Sequence, residues 1–325
     1  MNLARVLKVG ICACLLQVSA VWGQQPFPSH PLKIIVPFGP GTGLDVLGRG
    51  YAERLAEQLK VPVVVENRDG AGGTIGAVAV ARSQPDGSTI VFSANAPFSV
   101  APLLQAKSYD PIADFAPIAR VAVIPMVLVT GAQSQFKTLA DVIAYAKANP
   151  GKLDYASSGV GTASHLAVEL IKQKAGVNIS AVPYKSTAQA MTDLMGGHLP
   201  LYMPSLPAAL GQIKSGQIRA LAVGSLKRSP VVPDVPTVAE LLGQPDAEAS
   251  VWYGFLAPKA TPQAIVDRLS VEILKASATP QIVAMMEKTG AQAAPGRPSD
   301  LAAQIKKDVD ESGKLFDSLG IKPPQ

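Results

Sequence analysis

Two short glycine-rich turns, each placed after an expected strand and before an expected helix, constrain this chain more than any other feature. The first, Pro37-Phe38-Gly39-Pro40-Gly41-Thr42-Gly43-Leu44-Asp45, follows Ile34-Ile35-Val36. The second, Ser157-Ser158-Gly159-Val160-Gly161-Thr162-Ala163-Ser164-His165, follows Leu153-Asp154-Tyr155. A helix start carries unpaired N–H donors and a partial positive charge, so either turn is able to hold an anion. Glycine lets the backbone come close to a ligand and take positive φ. Two such turns in two halves of one chain suggest two jaws closing on a carboxylate.

Short β-branched runs alternate with helical patterns along the chain, which predicts α/β layers with largely parallel strands. Strands are expected at 32–37, 61–66, 89–93, 118–129, 153–156, 179–183, 199–203, 218–223 and 253–257. Helical patterns cover 45–59, 264–276, 281–288 and 300–319. Thr138 and Asp141 have the spacing of a capping box, and Thr261-Pro262 that of an N-cap followed by proline. Gly176, Gly196, Gly216, Gly290 and Gly320 each follow a helical pattern, where a left-handed terminating residue belongs.

The first residues address the compartment. Arg5 and Lys8 precede an uncharged, mostly apolar run from Val9 to Val21, and Val21-Trp22-Gly23 offers a cleavage site before Gln24. That is the layout of a secretory signal peptide over 1–23, and the run is short for a membrane span. The only two cysteines, Cys12 and Cys14, fall inside it. A lipid-attachment reading at Cys14 suffers from the short apolar run before it. Cleavage after Gly23 leaves no thiolate or disulfide chemistry. It also leaves 27 basic against 24 acidic residues, with no basic cluster interleaved with aromatics, so nucleic acid is not an expected partner. The expectation is a soluble, exported, globular monomer without metal or cofactor.

The strand–helix rhythm of 125–225 closes on itself as a candidate inserted domain. The segments 118–129 and 218–225 are the candidate crossings. The predicted division is thus 24–124 plus 226–325 for a discontinuous first domain and 125–225 for the second. Two crossings make a hinge, and a cleft between lobes is the usual place for a small ligand.

At this point the chain resembles a known family, the periplasmic solute-binding proteins of tripartite tricarboxylate transporters (Bug or TctC). The matching segments are Ile34-Ile35-Val36-Pro37-Phe38 with its turn and Asp45, Val64-Val65-Glu66-Asn67-Arg68 with Gly70-Ala71-Gly72-Gly73, and Tyr155-Ala156-Ser157-Ser158-Gly159 through His165. Further matches are Val182-Pro183-Tyr184-Lys185, Asp193-Leu194-Met195-Gly196-Gly197, Arg219-Ala220-Leu221-Ala222-Val223 and Pro233-Asp234-Val235-Pro236-Thr237-Val238-Ala239-Glu240. Thr42 separates two glycines that are usually adjacent in the family, and Ser186 stands where its Pro-Tyr-Lys-Gly has glycine. The resemblance implies a two-lobed, type II-like periplasmic binding protein, each lobe a mostly parallel sheet flanked by helices. It implies capture of a small carboxylate in the cleft and delivery to integral-membrane permease subunits.

The expected ligand contacts follow. Gly41, Thr42 and Gly43, with Phe38 before them, form one jaw; Ser157, Ser158, Gly161 and Thr162 form the other. Asp45 has two readings, a first-turn carboxylate that stabilises its helix by about 0.3–1 kcal/mol or a contact to a ligand amino or hydroxyl group. His165 faces either the cleft or the lobe surface. Tyr184 is positioned to stack or donate, and Lys185 either counters a second carboxylate or is solvated. Ser93 and Asn95 end the third expected strand, on the side where open α/β sheets bind ligands. His30 and His198 lack partners at metal-ligand spacing.

A hydrolase is the competing class. Ser157 and Ser158 do not lie in G-x-S-x-G, and His165 is poorly placed for Ser158. Residue 44 is Leu, so Gly39-Pro40-Gly41-Thr42-Gly43 is not a dinucleotide fingerprint. A ligand-responsive sensor that binds the same carboxylate fits the sequence as well as a transporter receptor does.

Overall fold

The computed structural model describes residues 27–104, 108–157, 159, 161–184 and 186–318; the expected signal peptide, Ser158 and Lys185 lie outside them. Eleven strands among the described residues form two sheets. The first sheet contains β1 (Leu32–Val36), β2 (Val63–Asn67), β3 (Thr89–Ala94), β4 (Phe115–Pro125), β10 (Ser250–Pro258) and β11 (Gln292–Gly296) in the order β11-β4-β10-β3-β1-β2. The second contains β5 (Val127–Gly131), β6 (Asp154–Ser157), β7 (Ser180–Pro183), β8 (Leu201–Tyr202) and β9 (Ile218–Val223) in the order β7-β6-β8-β5-β9.

Helices cover both faces of each sheet. In chain order they are α1 (Gly43–Leu59), α2 (Thr74–Ala81), α3 (Ala96–Ser99), α4 (Ala101–Leu104), α5 (Leu139–Ala148), α6 (Ala163–Ala175), α7 (Thr187–Met195) and α8 (Leu206–Lys214). They continue with α9 (Val238–Leu242), α10 (Gln263–Ser277), α11 (Pro280–Thr289) and α12 (Pro298–Ser318). Strand alternation feeds two cores per sheet. In β1, Leu32, Ile34 and Val36 enter a core with α1, α10 and α11, while Ile35 enters one with α2 and α12. No helix among the described residues is long and apolar enough to cross a membrane.

The expected α/β, two-lobed architecture is what the chain forms, but the sheets are mixed and not mostly parallel. β1 runs parallel to β2 and β3, and β6 to β7 and β8; β10 is antiparallel to β3 and β4, and β5 to β8 and β9. The cause is the chain's excursion between lobes. A chain that leaves one sheet along β4 and returns along β10 must run both ways.

The expected strand 118–129 is two strands, because the chain changes sheet at Met126. The return crossing lies at Ala249–Ser250, later than the expected 225. Val232, Val238, Ala239, Ala247 and Ala249 pack into the second lobe's cores, which keeps that segment with the second sheet. At the junction three backbones close a ring: Met126 N–H donates to Ala249 O (3.1 Å), Ala249 N–H to Gly224 O (2.7 Å) and Gly224 N–H to Met126 O (2.7 Å).

Local signals map onto helix ends. Thr138 and Asp141 form the reciprocal capping box. Gly176 and Gly290 end their helices in the left-handed conformation, whereas Gly196 stays right-handed and Gly197 takes positive φ. Pro262 occupies the N-cap position of α10 with no side-chain capping bond, and the Thr261 hydroxyl expected to cap is buried without a partner.

Candidate functional site

Each jaw is a left-handed glycine followed by a threonine at a helix start. Gly41 has φ +80° and Gly161 φ +77°. Thr42 (φ −68°, ψ 157°) and Thr162 (φ −69°, ψ 158°) share one backbone conformation. In both turns the threonine hydroxyl donates to the carbonyl three residues back, Thr42 to Gly39 at 3.0 Å and Thr162 to Gly159 at 2.7 Å. In both, the glycine N–H donates to the side chain four residues on, Gly41 to Asp45 Oδ2 at 2.9 Å and Gly161 to His165 Nδ1 at 3.3 Å. The spelling G-x-G-T-x-x-(D/H) recurs 120 positions apart, a repeat legible once both turns are aligned on their threonines.

The jaws differ in their supports. Asp45 is buried, and its carboxylate also accepts from Asn67 Nδ2 (2.9 Å) and pairs with Arg49 (3.0 Å). Asn67 reaches as well to the Phe38 carbonyl and accepts from Arg49. Burial alone would raise the Asp45 pKa, but the hydrogen bonds from Arg49, Gly41 and Asn67 outweigh it and hold the carboxyl below its usual value. The Asp45 carboxylate is thus engaged by Gly41, Asn67 and Arg49 and supports the turn. Behind the second turn, buried His165 turns Nε2 toward Glu169 at 3.9 Å. Glu169 is already held by the Tyr155 hydroxyl (3.1 Å) and Lys172 (2.6 Å).

Between the lobes lies a cavity of about 380 Å³. Four helices begin on it: α1 at Gly43, α6 at Thr162–Ser164, α7 at Thr187 and α8 at Ser205 and Pro207. Neither Thr162 nor Ser205 caps its own helix with its side chain. Met126, Tyr202 and Tyr253 complete the walls. The Tyr202 hydroxyl donates to Thr187 Oγ1 at 3.2 Å. Burial pushes the Tyr253 hydroxyl up to about 12, which keeps its proton in place as a donor. Thr289 brings the end of α11 to the same wall, and its hydroxyl satisfies the Met285 and Met286 carbonyls. Among the described residues no charged side chain lines this cavity.

A second cavity of about 380 Å³ lies beyond Met126 and Ala163, between α6 and α12, and Asn95 belongs to it. Its walls carry the carboxylates of Glu169, Glu248, Asp308 and Glu311 against Lys172 and Lys314. That charge repels an anion. The uncharged cavity ringed by helix starts is the one suited to a carboxylate.

Of the sequence-derived candidates, Gly43 and Thr162 line this cleft; Gly41 and Thr42 are exposed in the first turn. Gly161 lies in the second turn at positive φ, with its N–H on His165 Nδ1, and is not among the lining residues. Phe38 packs against the first core, and fully buried Ser93 donates to the Ala94 carbonyl. Ser157 spends its hydroxyl on the Gly159 backbone. Tyr184 donates to Asp193 at 2.8 Å and is not among the lining residues. Thr187, Tyr202, Ser205 and Tyr253 escaped the sequence reading. Ser205 and Thr187 precede or open helical patterns, a signal available to an N-cap search.

A family model described as the tripartite tricarboxylate transporter family receptor matches residues 47–321. The chain belongs to this family. It is similar to protein BugT of Bordetella pertussis, 36% identical over 325 residues and covering 99% of each chain. Among solved structures it resembles the periplasmic binding protein BugD, at 38% identity and a TM-score of 0.66, covering 92% of this chain and 100% of that one. It also resembles Rpa4515 of R. palustris, solved with adipate, at 33% identity and a TM-score of 0.69, with 92% and 100% covered. The family expected from the motifs is the one found. A receptor of this family is a solute-binding protein, in keeping with two lobes facing one cleft.

Proposed function

We propose that this receptor is a periplasmic protein that captures a small carboxylate in the cleft ringed by Gly43, Thr162, Thr187 and Ser205 and delivers it to membrane permease subunits. The observation that carries the reading is the convergence of four helix starts on one cavity without a charged side chain. Each helix start stabilises an anion by about 0.3–1 kcal/mol, more where water is excluded. Neutral N–H and hydroxyl donors hold a carboxylate without burying a counter-charge, which suits capture followed by release. A volume of about 380 Å³ is at the small end of ligand sites. The adipate-bound neighbour supports a diacid of that size. The family's description as a transporter receptor supports delivery to a permease, and binding without turnover is the proposed activity.

The test is calorimetry and thermal unfolding of the chain from Gln24 onward, stripped of bound solute by unfolding and refolding. Adipate, malate, citrate, aspartate and benzoate are the probes. A binding acid stabilises by about 2.7 kcal/mol at a concentration 100 times its Kd. Stabilisation by cationic or neutral solutes, with none by any acid, overturns the reading. Release of the native protein by osmotic shock and loss of acid uptake on its deletion test the compartment and the delivery.

A further inference from the structure

We propose that His165 is a positioning residue that fixes the second jaw through its unprotonated Nδ1, so that capture requires a neutral imidazole there; this rests on the carboxylate-receptor reading above. A backbone N–H is always a donor, so the ring nitrogen 3.3 Å from Gly161 N accepts, and the proton of the neutral ring sits on Nε2. Asp45 does the same for Gly41 in the first jaw, but with a carboxylate that stays ionised. The two turns share their backbone geometry and differ in the chemistry of this one acceptor.

Protonation of His165 sets Nδ1–H against the Gly161 N–H, two donors with no acceptor between them. The turn must then open, and Thr162 moves with it. Little compensates. The charged groups that act on the ring are Glu169, 3.9 Å away, and Lys172, both on its own helix. From β6, Tyr155 donates to that same Glu169. Across the lobe boundary, Glu248, Asp308 and Glu311 line the cavity that Glu169 borders. Burial holds the His165 pKa below its usual value, with Glu169 opposing and Lys172 adding to the shift. The neutral state is therefore the resting one at pH 7, and the second jaw loosens on acidification.

The test has a ligand-free arm and a binding arm, both on the full mature chain. Nitrogen-15 NMR from pH 8 to pH 4.5 should show His165 as the Nε2–H tautomer, with the Gly161 amide following its titration and the Gly41 amide indifferent to it. An Nδ1–H tautomer, or a Gly161 amide that ignores His165, overturns the proposal. In the binding arm, wild-type affinity for adipate should fall progressively below the His165 pKa. His165→Ala should weaken it about threefold to tenfold at pH 7.5, the loss of one hydrogen bond. His165→Asn, whose Oδ1 replaces Nδ1 without titrating, should recover part of that loss and flatten the pH profile. A wild-type pH slope retained in His165→Asn also overturns the proposal. Absence of adipate binding at every pH counts against the ligand reading alone, because the NMR arm still decides the role of His165.

Discussion

Gly224 and Ala249 lie back to back at the lobe junction, joined by the Ala249 N–H to Gly224 O bond at 2.7 Å. A Cβ on Gly224 would stand 2.1 Å from the Ala249 carbonyl oxygen. The obstacle is backbone, so no rotamer change relieves it, and both residues belong to the hydrogen-bonded ring through which the chain passes between lobes. Gly224→Ala is expected to cost about 1–3 kcal/mol, the range for overpacking a filled site. Urea unfolding checks this, and an unchanged midpoint would mean that the junction is softer than its packing implies.

The two threonines at the jaws separate capping from capture. Thr42 Oγ1 accepts the Asp45 N–H at 3.2 Å, whereas Thr162 makes no such cap bond. Thr42→Ala should therefore lower stability by about 1 kcal/mol. Thr162→Ala should shift stability less but weaken adipate binding about twofold to tenfold. Paired unfolding and calorimetry on the two variants decide it; equal stability losses would refute the distinction.

Much of the fold was legible because its signals are local. The β-branched run Ile34-Ile35-Val36, the Thr138–Asp141 box and the glycine turns each follow from neighbours in sequence. What escaped depends on distant partners. The pattern of Val238, Ala239 and Ala247 predicts buried residues but does not say against which sheet they are buried, so the return crossing was set about 25 residues early. Strand β11 (Gln292–Gly296) has Ala, Pro and Gly where a strand signal needs β-branched residues, and it exists because β4 offers an edge. At the site, Asp45 suits ligand and helix equally in sequence; Arg49, one turn on along α1, is a local partner, but Asn67 comes from β2 to occupy the same carboxylate. Tyr184 pointed to the cleft by position, yet Asp193 on α7 takes its hydroxyl.

Asp45 yields a sharper expectation than a ligand contact would. Asp45→Asn keeps an oxygen for the Gly41 N–H but leaves Arg49 without its ion pair, for a loss of about 1–2 kcal/mol. Adipate affinity should stay within about threefold, since the group lies under the turn. A tenfold gain in affinity would show instead that the carboxylate repels bound anion. The wild-type contribution is complete above the ordinary aspartate pKa and fades as pH falls through the lowered folded value. Acid unfolding of the variant should therefore be the less steep of the two.

Asp308 titrates with the opposite sign. It accepts from the Trp252 indole N–H at 2.7 Å and from Gln304 at 2.8 Å, in the cavity that also holds Glu248 and Glu311. Burial pushes its carboxyl up to about 6 despite the Trp252 and Gln304 bonds that favour ionisation. The folded chain thus binds a proton that the unfolded chain has released, so stability falls as pH rises from about 4 to about 6 and is flat above. Asp308→Asn keeps an acceptor for Trp252 and removes the titration. It should match wild type near pH 4 and exceed it by about 1–2 kcal/mol at pH 7.5, a value kept below the full linkage figure because the side chain is half-buried. Thermal melts of both proteins across that range provide the check. Parallel curves would mean that the carboxyl ionises as freely in the folded chain as in the unfolded one, and that the cavity between α6 and α12 is wetter than its lining suggests.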